Sequence, residues 1–204
     1  LNQCPHNLDL MQWFFGMPRR VTCCCSFGKY HQIEVEDEVT AYLEYANGAT
    51  GVFVASTGEA PGTDRLEIAG DRGRLVYEDG EINFLRTEQS VAEFRATDPG
   101  SFSRPDTWGI RIPYGSARGE HQAITQCFVD AILDGTPLVA PGQEGIRSVE
   151  LANAMLYSSF TDRTVELPLD AEAYEAHLKK LIEGSRLKKK VVKQGVTDIS
   201  DSFR

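Results

Sequence analysis

A chain of 204 residues is long enough for one domain with a real core, or for one domain plus a small appendage. Its 41% hydrophobic and 25% charged residues are ordinary for a soluble globular protein, and no run approaches the length of a membrane-spanning helix. A net charge of −9 argues against a general binder of nucleic acid or anionic membrane, because both depend on Lys and Arg neutralising phosphate.

The opening stretch, "LNQCPHNLDLMQWFFGMP", predicts a helix over residues 3–16. Pro5 is compatible only with its first turn, and Gly16-Met17-Pro18 stops it. Leu8, Met11 and Phe15 fall on one side, and His6, Leu10, Trp13 and Phe14 near the opposite side with Asp9 beside them. A helix apolar nearly all round is covered on two faces. No signal peptide is expected, since polar and charged residues follow Leu1 where a basic and then apolar leader would stand.

Strand patterns come next. "RRVTCCCSFGKY" is β-branched and cysteine-rich, and in a strand Cys23 and Cys25 face one way and Cys24 the other. The five cysteines are Cys4, Cys23, Cys24, Cys25 and Cys127. An odd count without a C-x-x-C fits a reducing, cytoplasmic setting better than a disulfide framework. Neighbours on one strand cannot all converge on one ion, so a metal site in the triple is not expected. "EDEVTAYLEYANGATGVFVAST" reads as a hairpin turning at Asn47-Gly48. "DRLEIAGDRGRLVYEDGEINFLR" repeats the theme, with turns at Gly70–Gly73 and Asp79-Gly80, and "SVAEFRAT" adds a further strand. An antiparallel meander of about six strands results.

Residues 97–118 read as a long irregular insertion containing Trp108 and Tyr114, either of which could stack on a sugar ring. Helices return at about 119–134 and 143–160, "TVELPLD" is a short extended exit, and Asp170 caps a last helix to about Glu183. Residues 186–204 form a polar, basic tail, read as a solvated extension beyond a domain spanning 1–185. The order of helix, strands, then helices gives an α+β class: an open, mostly antiparallel sheet with helices packed on one face.

Several chemistries are absent. There is no G-x-G-x-x-G after a strand, no P-loop, no H-E-x-x-H and no G-x-S-x-G. "GDRGR" at 70–74 lies between strands and opens no helix, so it is a turn and not a phosphate loop. What remains is the first helix. An imidazole titrates near neutrality and can exchange a proton with a hydroxyl or carbonyl. His6 is therefore the candidate acid–base group, and Asp9, three residues on, can orient it or hold a substrate hydroxyl. Asn2 adds a donor and acceptor on the same face. On spacing alone, such a pair is more often a satisfied structural feature of a helix than a catalytic one. Of the other histidines, His31 near a strand end and His177 on a polar face read as solvated, and His121 as a surface or capping residue.

The opening stretch resembles the motif that begins the C-terminal domain of the Gfo/Idh/MocA oxidoreductases, roughly G-G-x-x-x-D/N-x-x-x-H-x-x-D-x-x-x-W. Asn2, His6, Asp9 and Trp13 fall on its spacings. "EDEVTAYLEYANGATGVFVASTGE", "DRLEIAGDRGRLVYEDG" and "ILDGTPLVAPGQEGIRSVELANAMLYSS" agree in order, so the resemblance reaches about residue 170. It implies a two-domain enzyme. A Rossmann domain preceding Leu1 would bind NAD or NADP and supply a lysine from an E-K-P motif. This chain would bind a sugar or cyclitol, with His6 as catalytic acid or base and Asn2 and Asp9 as substrate contacts. It would hold no metal and no cofactor-binding residue of its own, and the fragment alone would be inactive. Asn2 stands where many members have aspartate; an amide binds a hydroxyl but cannot stabilise an imidazolium by charge. One face of the first helix should then meet the sheet, and the other, exposed in this chain, should meet the cofactor domain. Association through the open sheet face into a homo-oligomer is the family's habit. The alternative is a non-catalytic binding or assembly module retaining the fold.

Overall fold

The computed structural model describes residues 1, 3–97, 100, 102–113, 115 and 120–186. The chain divides into two units, one containing residues 1–58 with the described residues from 140 onward, the other 59–139. Among the described residues each unit holds one four-stranded antiparallel sheet.

The first unit begins with α1 (Pro5–Phe15), started by Pro5 and closed by Gly16, whose N–H donates to the Gln12 carbonyl. Strands β1 (Arg20–Phe27), β2 (Glu36–Glu44) and β3 (Thr50–Ser56) follow. The β2–β3 turn uses Asn47, whose side chain accepts from the Ala49 N–H, and Gly48 at φ 85°, as the Asn-Gly pair predicts. Alternation sets the sheet's two faces. Val21, Cys23, Val39, Ala41, Leu43 and Phe53 point inward and are buried, whereas Tyr42, Val52 and Val54 point outward and are exposed.

From residue 140 the unit adds α4 (Gly145–Thr161), β8 (Val165–Glu166) and α5 (Ala171–Gly184). The Asp170 carboxylate accepts the Ala173 N–H, so the anticipated cap is present. Leu151, Ala154 and Met155 of α4 are fully buried with Leu8 of α1 and the inward residues of the sheet. Each fully buried Leu or Met contributes on the order of 2 kcal/mol of transfer free energy.

α1 packs on α4, which itself covers β1, and through Leu8 it joins the core built by the sheet's inward residues. The buried positions of α1 are Leu8 and Gln12, while Met11 is half-buried and Phe15 exposed. Gln12 can sit inside because its amide reaches Asp9 Oδ1 at 2.9 Å.

The second unit orders its strands β4 (Arg65–Gly70), β5 (Gly73–Glu78), β6 (Glu81–Thr87) and β7 (Thr107–Ile112) in sequence. Two elements differ from expectation. Strand β7 lies inside the stretch read as irregular, and pairs with β6 through Thr87↔Thr107 to Ile82↔Ile112. Proline and glycine on both sides masked its alternation. "SVAEFRAT" forms helix α2 (Val91–Thr97) instead of a strand. Ser90 Oγ accepts the Glu93 N–H, and Glu93 Oε2 accepts the Ser90 N–H, both at 3.3 Å: a capping box, which propensity alone does not weigh. Helix α3 (Glu120–Asp134) completes the unit. Two sheets replace the single meander because, among the described residues, β4 pairs only with β5, after a Gly- and Pro-rich stretch at 58–62. Tyr114 and residues 187–204 of the tail lie outside the described residues.

Candidate functional site

His6 lies in the first turn of α1, with Asp9 one turn on, and both are exposed. They share the outer side of the helix with Leu10, Trp13 and Phe14, the Trp13 side being 70% exposed. Trp13 and Phe14 rest against each other with ring centroids 5.1 Å apart. The inner residues Leu8 and Gln12 fix the helix's rotation about its axis, and so decide which residues it presents outward. A histidine and a carboxylate set among exposed aromatics make a surface suited to being covered.

The structure does not pair His6 with Asp9. Asp9 Oδ1 is engaged by Gln12 Nε2, and His6 has no hydrogen-bond partner among the described residues. The exposed His6 imidazole is therefore unengaged by the described residues, and Asp9 is positioned by a buried amide. Asn2, the third expected contact, lies outside the described residues.

A second polar constellation in this unit went unrecognised in the sequence. Asp37 sits in the inward row of β2 beside Val39, with its side chain fully buried. Its carboxylate accepts backbone N–H groups from Lys29 (3.1 Å), Tyr30 (2.7 Å) and His31 (3.1 Å). Burial alone pushes this carboxyl up, but the three donors outweigh it and hold it below the usual carboxylate range. His31 Nδ1 stands 3.5 Å from Asp37 Oδ2 and 3.4 Å from Thr57 Oγ1, so His31 is not simply solvated. The only clue in the sequence was an aspartate in a position patterned as apolar.

Other candidates resolve as follows. Cys23 is buried, Cys25 half-buried and Cys24 exposed, as strand alternation requires, with Cys23 and Cys25 Sγ atoms 3.7 Å apart. No cluster of three metal-ligating side chains exists among the described residues. His177 is half-buried between the rings of Tyr157 and Phe160, contrary to the solvated reading, because Tyr174 and His177 share the inner side of α5. His121 is exposed on α3, and Trp108 lies on β7 beneath the Arg86 guanidinium, 5.4 Å from its ring centroid. No described helix is long and apolar enough to cross a membrane.

Comparison with known proteins agrees with the fold. The chain belongs to the Gfo/Idh/MocA oxidoreductase family: residues 1–167 match the family model described as "Oxidoreductase family, C-terminal alpha/beta domain". Among solved structures it is similar to the WlbA dehydrogenase of Chromobacterium violaceum in complex with NADH and UDP-GlcNAcA, at 24% identity and TM-score 0.63. That match covers 83% of this chain and 46% of the other. Biliverdin reductase of Synechocystis, in complex with biliverdin and NADP+, matches at 20% identity and TM-score 0.59, over 76% of this chain and 44% of its own. Aldose–aldose oxidoreductase of Caulobacter crescentus, complexed with glycerol, matches at 18% identity and TM-score 0.59, over 80% and 45%. At these identities the likeness is one of fold, and the chain spans less than half the length of each. No curated protein matches the chain.

Proposed function

We propose that this chain is the substrate-binding half of an NAD(P)-dependent oxidoreductase acting on a hydroxyl or carbonyl of a sugar or cyclitol. The observation that carries the reading is the outer side of α1, where His6 and Asp9 are exposed beside Leu10, Trp13 and Phe14. The described residues do not themselves fit a dinucleotide: Gly70–Gly73 is a hairpin turn, and no glycine-rich loop leads from a strand into a helix among them. NAD or NADP is on this reading held by residues outside this chain, and the exposed aromatics of α1 are the surface that meets them.

His6 takes the proton of the substrate hydroxyl during oxidation and returns it during reduction. The nicotinamide, when bound, supplies the hydride chemistry. Asp9, held by Gln12, accepts a hydrogen bond from a neighbouring substrate hydroxyl, and Asn2 contributes its amide to the same group. The fragment alone is inactive, and five free cysteines favour a cytoplasmic setting, which cell fractionation would check. The outward face of the first unit's sheet is the surface we assign to self-association.

In the full-length protein, the test is NADH or NADPH absorbance across a panel of sugars and inositols. His6→Ala should lower turnover by roughly 10²- to 10⁴-fold while dinucleotide binding, followed by fluorescence, persists. An unchanged rate removes His6 from the mechanism. Failure to bind either dinucleotide would instead favour a non-catalytic assembly module.

A further inference from the structure

We propose that the loop between β1 and β2 builds a second substrate subsite, one that holds a neutral saccharide ring that does not react. The inference rests on the oxidoreductase reading above and extends its site beyond His6.

The loop is constructed with unusual care for a surface segment. Asp37 gathers the N–H groups of three successive residues, and Tyr30 and Lys29 both reach Glu38. Gly58 allows the Tyr30 ring to lie against the backbone, since a Cβ there would come within 2.3 Å of the ring. A buried carboxylate is costly unless its hydrogen bonds are made, so the fold commits Asp37 to holding this loop in one conformation.

What the loop displays is His31. Its Nδ1 faces Asp37 and Thr57, which leaves Nε2 as the nitrogen available to a ligand. Both neighbours sit on the same nitrogen, so this is no Thr–His–Asp nucleophile relay; it is an oriented hydrogen-bonding group.

A cavity of about 570 Å³ opens beside it. Leu1, Ile33 and Val35 give it apolar walls, while Gln3, His31 and Thr57 bring hydrogen-bonding groups to its edge. That combination suits a pyranose, which has an apolar C–H face and a rim of hydroxyls. Among the described residues lining the cavity there is no lysine or arginine side chain, and its one carboxylate, Glu36, is paired with the Leu1 amino group at 2.8 Å, so the lining offers no uncompensated charge and suits a neutral ligand. Leu1 and Gln3 shortly precede the helix that carries His6, and on this proposal a ring seated here belongs to the same substrate as the ring at His6. The substrate class is thus a glycoside or disaccharide whose reacting ring lies at His6.

The test uses the full-length enzyme with maltose, cellobiose, lactose and trehalose, each against D-glucose. At least one disaccharide should have the higher kcat/KM. His31→Ala should raise its KM about tenfold with kcat held, leave glucose kinetics unchanged, and be partly restored by His31→Gln. Equal kcat/KM for glucose and the disaccharides, or a His31→Ala effect equal for both or absent, overturns the subsite. Binding is read separately through the His31 imidazole proton resonance titrated with the four disaccharides. A shift at His31 without turnover leaves the subsite standing while the oxidoreductase reading falls; turnover of monosaccharides with no shift at His31 does the reverse.

Discussion

The Ser158 hydroxyl accepts the backbone N–H of Cys23 at 2.9 Å and donates to the Arg163 carbonyl at 2.6 Å. The neighbouring Ser159 Oγ accepts the Cys25 N–H, also at 2.9 Å. Strand β8 pairs with β1 only at Arg20 and Val21, so the next N–H groups on that side of β1 would be left without a strand partner. Two serines at the end of α4 continue the ladder in its place, and this docks the helix that carries α1 and His6. Ser158 is 1% exposed. Ser158→Ala leaves one buried donor and one carbonyl unsatisfied and should cost about 2–3 kcal/mol in urea unfolding. A loss below about 0.5 kcal/mol would mean that water or rearrangement replaces the hydroxyl.

Asp37 gives the fold an acid sensitivity with a definite sign. Its folded-state carboxyl is depressed, chiefly because three backbone donors overcome the opposing effect of burial. A depressed carboxyl contributes stability that is fully present above its unfolded value, near pH 4, and is lost as pH falls towards the folded value. Asp37→Asn keeps the shape but weakens the acceptors. The variant should be less stable at pH 7, and its stability should fall less between about pH 4 and pH 2 than the parent's does. Parallel stability–pH curves for the two proteins would show that Asp37 does not contribute this way.

How much of this was legible depended on whether the signal was local. Asn47-Gly48, Asp170 and the alternation of Val39, Ala41 and Leu43 announce themselves within a few residues, and each is found where it was read. His6 and Asp9 were visible because their spacing sits inside a longer motif. The engagement of Asp9 by Gln12 was not, since a buried glutamine carries no apolar signature. The Ser90–Glu93 box was overridden by a β-like run of apolar residues, although the S-x-x-E spacing was present. Asp37 and His31 are six apart and meet only because the loop folds back on itself, a relation that no periodicity encodes. The same holds for His177, whose surroundings come from Tyr157 and Phe160 on a different helix.

The outward face of the first unit's sheet offers the last prediction. Val52 and Val54 on β3 are 64% and 65% exposed, and Tyr42 on β2 lies directly across from Val52 in the ladder. Thr40 and Cys24 extend the row, so the middle of the face carries apolar and small uncharged groups, with the charged Arg20, Glu38 and Glu44 towards its ends. β3 is also an edge strand, and an apolar edge of this kind is normally covered. A second copy is the occupant we assign, because two identical faces of this composition are self-complementary about a twofold axis. The full-length protein should therefore sediment as a dimer or larger assembly. Replacing both valines, Val52→Glu and Val54→Glu, places like charges against each other across that axis and should shift the sedimentation-equilibrium mass towards the monomer without loss of the folded signal. A parent protein that is monomeric at micromolar concentration, or a double variant with unchanged mass, removes this face from assembly.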